Sequence, residues 1–179
     1  MKFLPTSLSD VWLIELEPRT DERGFLARTF CEREFSGCGL NTRWPQVNLT
    51  RTLRRGMIRG LHYQADPRPE TKLIRCSAGA IFDVVVDVRP GSPSCGRWES
   101  FELTGENGRQ LYVPGGFAHG FQCRADRSEV LYLMSEFYDP DLARGIRWDD
   151  PTLKIPWPIQ DPSLSERDRN LPCLKDGMG

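Results

Sequence analysis

Two histidines serve the whole 179-residue chain, and both stand beside glycines. His62 lies in Arg59-Gly60-Leu61-His62-Tyr63-Gln64, and His119 in Pro114-Gly115-Gly116-Phe117-Ala118-His119-Gly120-Phe121. Glycine next to a side chain marks a tight backbone or a close approach by another group. Imidazole titrates near neutrality, so the two rings suit either proton transfer or metal binding. A preformed metal centre needs about three or four ligands, and two histidines supply it poorly. The six cysteines form no C-x-x-C pair, which disfavours zinc-finger and thioredoxin-like chemistry and points to buried or idle thiols.

The elements that position these rings read as strands. Fourteen prolines and sixteen glycines cut the chain into short segments, and long amphipathic helical patterns are absent. Strands are expected at 11–17, 24–30, 44–51, 57–64, 72–77, 81–89, 98–103, 110–113, 120–123 and 129–138. Short helices are expected near 31–36 and 164–169, with a loose tail after Leu171. Strands of this spacing, separated by Ala78-Gly79, Pro90-Gly91 and Glu106-Asn107-Gly108, predict an all-β sandwich or barrel. Period-two alternation places Ile58, Gly60, His62 and Gln64 on one face, and Lys72, Ile74 and Cys76 on one face of the next strand. In the strand after that, Ile81, Asp83, Val85 and Asp87 oppose Phe82, Val84, Val86 and Val88. A barrel face mixing His, Lys and Asp with aliphatics suits a polar pocket better than a dry core.

Composition bounds the partners. The chain is 39% hydrophobic and 27% charged, with 24 basic and 25 acidic residues for a net charge of −1. That balance gives no electrostatic reason to expect nucleic acid or an anionic membrane. No apolar run near the start suits a signal peptide, and no stretch of about 20 apolar residues suits a membrane span. A single cytoplasmic domain over 1–179 is expected.

The segment Gly108-x5-Pro114-x-Gly116-x2-His119 resembles the second motif of the cupins, small barrels of two antiparallel sheets. Gly56-x5-His62 begins the first motif, but Gln64 stands where a second histidine should be, and no glutamate falls at the next offset. The expectation is therefore a cupin-type double-sheet jelly-roll barrel with a few short helices, no metal and no cofactor.

Longer strings carry a more specific resemblance. They are Asp21-Glu22-Arg23-Gly24-Phe25, Gln46-Val47-Asn48, Arg59 to Gln64, Lys72-Leu73-Ile74-Arg75-Cys76 and Phe82-Asp83-Val84-Val85-Val86-Asp87. Further along come Gly91-Ser92-Pro93, Gly96-Arg97-Trp98, Pro114 to Phe121, Arg144 to Pro151 and Leu164-Ser165-Glu166-Arg167-Asp168. In joint order these resemble the dTDP-4-dehydrorhamnose 3,5-epimerase family, metal-free cupins, over nearly the whole chain. The resemblance implies inversion of C3 and C5 in a nucleotide-linked 4-keto-6-deoxy sugar, by proton abstraction to an enolate and reprotonation from the opposite face. It implies His62 as base, Asp168 as its orienting carboxylate, Lys72 as oxyanion stabiliser and Tyr132 as acid. It further implies substrate contacts from Arg23, Gln46, Asn48, Arg59, His119, Tyr138 and Arg167. A homodimer is implied in which the N-terminal strands (1–50) are exchanged around a barrel core (51–138), with 139–179 closing the site.

The chain departs from the family pattern at three places. Arg28 stands where Arg-Gly-x-Phe-x-Glu ends in glutamate, Ala143 replaces the glutamate before Arg-Gly-Ile, and Leu133 replaces a lysine that often follows the tyrosine. The first two fall in the nucleotide region, so Arg28 is a candidate for altered base preference or an extra phosphate contact. Alternatives are inversion at one carbon, a CDP- or GDP-linked substrate, a metal-dependent cupin oxygenase, and a sugar-nucleotide-binding module without catalysis.

Overall fold

Antiparallel strands stack as two facing sheets in a computed structural model that describes residues 1–177. One sheet has six strands, in spatial order β1 (Lys2–Pro5), β2 (Trp12–Glu15), β10 (Gln110–Val113), β7 (Lys72–Ala78), β12 (Ser128–Met134) and β5 (Gln46–Thr52). The other has five, in order β13 (Ala143–Gly145), β6 (Ile58–Gln64), β11 (Phe117–Cys123), β8 (Ala80–Asp87) and β9 (Trp98–Thr104). A separate hairpin joins β3 (Arg19–Asp21) to β4 (Gly24–Leu26). Among the described residues there are three short helices: α1 (Glu32–Gly37), α2 (Glu166–Arg169) and α3 (Leu174–Gly177). This is the all-β double-sheet barrel expected from the strand pattern.

The alternation on β8 explains how the sheets pack. Ile81 and Val85 point into the barrel, where they join Ile74, Cys76, Leu111, Val113, Phe117, Phe121 and Val130. Val84 and Val86 point outward, and Phe82 packs with them, yet this face is not solvated. The segment after β13 covers it with Ile146, Leu153, Ile155, Trp157 and Leu174. Both faces of the five-stranded sheet therefore carry an apolar cluster, and the chain beyond the covering segment brings Asp168 to His62. Cys76 and Cys123 are buried in the inner core, and burial pushes the Cys76 thiol up to about 11.

Three expectations need correction. The tail after Leu171 is not loose as far as it is described: Leu174 is buried in the outer cluster, and its N–H donates to Asp150 Oδ2 at 2.7 Å. The strand expected at 129–138 ends at Met134, where the Ser135 N–H donates to the Thr71 carbonyl and the chain leaves the sheet. The third concerns β6. Ile58 packs outward with Leu61, whereas Arg59 and His62 face inward. Register supplies the cause: His119 pairs with His62 but Phe121 pairs with Arg59, so β6 carries one extra residue. Such a bulge reverses the alternation beyond it. Gly60 permits it, because a Cβ there would lie 2.5 Å from the Gly120 Cα and its φ is +127°. The pattern also missed β1, β3 and β13, each three or four residues long.

Candidate active site

A cavity of about 740 Å³ opens between the sheets. Its walls hold all the sequence-predicted site residues except Arg23 and Arg28. His62, Arg59 and His119 come from the five-stranded sheet; Lys72, Tyr132, Gln46 and Asn48 come from the six-stranded sheet. Arg167 and Asp168 arrive on α2, and Tyr138 from the turn after β12.

His62, His119 and Lys72 each have a carboxylate beside them. His62 Nε2 lies 2.7 Å from Asp168 Oδ1. Asp168 is set by its own helix start, where its N–H donates to Ser165 Oγ at 3.1 Å. Burial opposes ionisation of Asp168, but bonds from His62, the Gly60 N–H and Ser165 outweigh it and hold the carboxyl below its usual range. His119 Nε2 lies 2.8 Å from Asp83 Oδ2. Here burial wins: Asp83 is wholly enclosed, and its carboxyl is pushed up despite His119. Lys72 Nζ contacts Glu70 Oε1, and both side chains are more than nine-tenths buried. Tyr132 lines the same cavity; burial first, then the Glu70 charge, raises its phenol pKa, while Arg59 lowers it.

The remaining lining is set for recognition. Arg59 Nε donates to Thr52 Oγ1 at 2.9 Å. Arg144 and Arg167 add positive charge to the lining. Gln46 Oε1 accepts the Tyr138 N–H at 3.0 Å, which ties the half-exposed Tyr138 ring to the cavity. Gln64, which occupies the place of a second motif histidine, is committed elsewhere: its Nε2 donates to the Arg68 carbonyl and its Oε1 accepts the Asp139 N–H. Among the described residues no group of three or more His, Cys, Asp or Glu side chains is arranged to hold a metal ion.

Arg23 and Arg28 lie apart from this chain's cavity. Arg23, on the β3–β4 hairpin, pairs with Asp21 at 2.5 Å, and Arg28 Nη1 donates to Glu34 Oε1 at 2.9 Å. The hairpin joins neither main sheet. Sequence reasoning missed Asp83, Glu70, Thr52 and Arg144. Asp83 had a visible signal, its place on the inward face of β8 with Ile81 and Val85. Glu70 had one too, two residues before Lys72 and therefore on the same side of the chain entering β7.

Comparison with known proteins agrees with this geometry. The family model described as dTDP-4-dehydrorhamnose 3,5-epimerase matches residues 5–176. The chain is 44% identical over 178 residues to the dTDP-4-dehydrorhamnose 3,5-epimerase of Pseudomonas aeruginosa, covering 98% of this chain and 97% of that one. A crystal structure of the Bacillus anthracis dTDP-4-dehydrorhamnose 3,5-epimerase, with TDP and PPi bound, superposes with a TM-score of 0.94 at 40% identity. It covers 96% of this chain and 98% of that chain. ChmJ, a 3′-monoepimerase from Streptomyces bikiniensis in complex with dTDP-quinovose, superposes with a TM-score of 0.90 at 36% identity, covering 96% and 87%. The chain belongs to the dTDP-4-dehydrorhamnose 3,5-epimerase family.

Proposed function

We propose that this protein epimerises a nucleotide-linked 4-keto-6-deoxy sugar, inverting C3, C5 or both through an enolate. One observation carries the reading: His62 with its ionised Asp168 faces Lys72 and Tyr132 across the cavity, from opposite sheets. Inversion needs a base on one face of the ring and an acid on the other. A single group acting from one side returns the proton to the face it left.

The 4-carbonyl acidifies the C–H bonds on both sides of it. His62 takes the proton, and the Asp168 carboxylate stabilises the imidazolium that forms. The electron pair of the broken C–H bond moves onto the 4-oxygen, where the Lys72 ammonium meets the developing charge. Tyr132 then donates its proton to the same carbon from the other side. Its raised pKa keeps it a phenol at neutral pH, and an enolate carbon is basic enough to take that proton. His62 and Tyr132 recover their starting states by exchange with solvent.

At the nucleotide end, Arg59 and Arg167 pair with the diphosphate, since a guanidinium fork matches phosphate oxygens. Gln46 and Asn48 hydrogen-bond the substrate, His119 contacts the sugar, and Tyr138 stacks on the base. The segment from 139 onward closes the sugar end, and contributes Ser165 and Asp168 to its wall. Arg23 and Arg28 reach the nucleotide from a second protomer through the β3–β4 hairpin. Exposed Phe25 and Leu26 on that hairpin, and Val47 and Leu49 on edge strand β5, support such a homodimer.

Incubation with dTDP-, CDP- and GDP-linked 4-keto-6-deoxy sugars in deuterium oxide tests the proposal. Deuterium should enter both C3 and C5, fastest with the dTDP sugar. Exchange at one carbon alone identifies a mono-epimerase, the activity ChmJ carries, and no exchange with any of the three sugars rejects the proton-transfer reading. If Arg28 reads the nucleotide, Arg28→Glu changes the ranking of the three sugars.

A further inference from the structure

The Lys72–Glu70 contact has a second half. Glu70 gives Oε1 to the Lys72 ammonium, while its Oε2 is buried with no hydrogen-bond partner among the described residues. Buried carboxylate oxygens ordinarily find donors, because an unpaired one forfeits its hydration without compensation. Glu70 sits on the cavity wall with Lys72 and Tyr132, and its side chain is 8% exposed. The backbone there is held from just beyond β12, where Thr71 exchanges hydrogen bonds with Ser135 through both its N–H and its carbonyl. Glu70 thus places a half-satisfied carboxyl group on the wall of the reaction chamber.

We propose that Glu70 is a specificity-determining residue that accepts a hydrogen bond from the sugar's 3-hydroxyl. The inference rests on the epimerase reading above, in which Lys72 holds the 4-oxygen. In a 4-keto-6-deoxy sugar the two carbons flanking the carbonyl differ: C3 bears a hydroxyl, whereas C5 bears the methyl group and the ring oxygen. The hydroxyl is therefore the one donor adjacent to the 4-oxygen. An ammonium that bonds both the 4-oxygen and Glu70 brings that hydroxyl to the free half of the carboxylate. The terminal torsion of a glutamate is broad, so a small rotation of the carboxyl group presents Oε2 to the incoming donor, and the flexible Lys72 ammonium follows Oε1. The ring is thereby oriented about the carbonyl, with C3 distinguished from C5.

The test separates this role from simple support of Lys72. Exchange at C5 in deuterium oxide is followed by NMR for a nucleotide-linked 4-keto-6-deoxy sugar and for its 3-deoxy counterpart, which keeps the C5 proton. The native protein should favour the 3-hydroxylated sugar by about thirtyfold in kcat/KM for C5 exchange, the range of a hydrogen bond to a charged group. In Glu70→Ala the preference should fall below about threefold, with Glu70→Gln, which keeps the shape, intermediate. A structural role through Lys72 lowers both sugars together and leaves the ratio unmoved. An unmoved ratio in both variants overturns the assignment of Glu70. Where a variant exchanges too slowly to follow, or Glu70→Ala fails to fold, the same ratio is read from the dissociation constants of the two sugars with Glu70→Gln. Absence of C5 exchange in the native protein with the 3-hydroxylated sugar instead rejects C5 chemistry, and the inference falls with it.

Discussion

His62 and His119 are directly opposed on neighbouring strands, and each bonds one carboxylate oxygen through Nε2 at nearly the same distance, 2.7 and 2.8 Å. Their carboxyls nevertheless shift in opposite directions. Asp168 is lowered because the Gly60 N–H and Ser165 add to the bond from His62; Asp83 is raised because His119 stands alone against complete burial. Asp83 Oδ1 has no hydrogen-bond partner among the described residues. Deeper burial and fewer donors at Asp83, not the histidine contact, separate the two directions. An ionised Asp168 suits a ring that must accept a proton, and a carboxyl pressed toward neutrality suits a ring that is only held in place. Exposure agrees: the His62 side chain is 39% exposed toward the cavity, and that of His119 11%.

The comparison breaks first at the glycines that set both pairs. Gly60→Ala pushes a Cβ against Gly120 and strains a positive φ. It should cost about 3–5 kcal/mol in urea unfolding, from overpacking plus backbone strain. The histidines come next. His62→Ala should lower deuterium exchange by about a thousandfold while changing nucleotide affinity less than about tenfold. His119→Ala should cost about tenfold, most of it in KM. Equal losses from the two substitutions would erase the distinction between the pairs. Asp168→Asn should then lower kcat by about a hundredfold, because the imidazolium loses its counter-charge.

The smallest effects lie in the pH dependence of stability. Asp168 is lowered in the folded protein, so its contribution is present above the ordinary carboxyl range and lost as pH falls through the lowered value. Asp83 is raised, so its contribution is present below that range and lost as pH rises through the raised value. The native protein should therefore lose stability as pH rises above the ordinary carboxyl range, and Asp83→Asn should flatten that fall in Tm. Asp168→Asn should lower Tm at pH 7, with the deficit closing toward pH 3. Calorimetry across this range checks both signs.

Much of the barrel was legible because period-two alternation persists wherever a strand meets the inner core. β10 spans the residues expected of it, and β8 divides between its two faces as its pattern predicted. β6 was misread because a bulge leaves no mark in the alternation; only Gly60 hinted at it, and what it touches, Gly120, lies on another strand. The short edge strands β1 and β13 carry too few residues to show a period. Proton chemistry was legible in the two histidines, yet the assignment of His62 came from resemblance. No local signal joins it to Asp168, 106 residues away. Asp83 was seen on the correct face but without its histidine, since that contact depends on the register of β8 with β11.

The central claim is that base and acid approach the sugar from opposite sheets. Tyr132→Phe in deuterium oxide tests it most directly, with NMR following label uptake and configuration separately. Without the phenol, His62 can still take a proton and return a deuteron to the face it came from. Label should therefore enter with retained configuration, while inversion falls by about a hundredfold or more. Inversion at near the native rate in this variant would contradict the account, and so would loss of label uptake and inversion by the same factor.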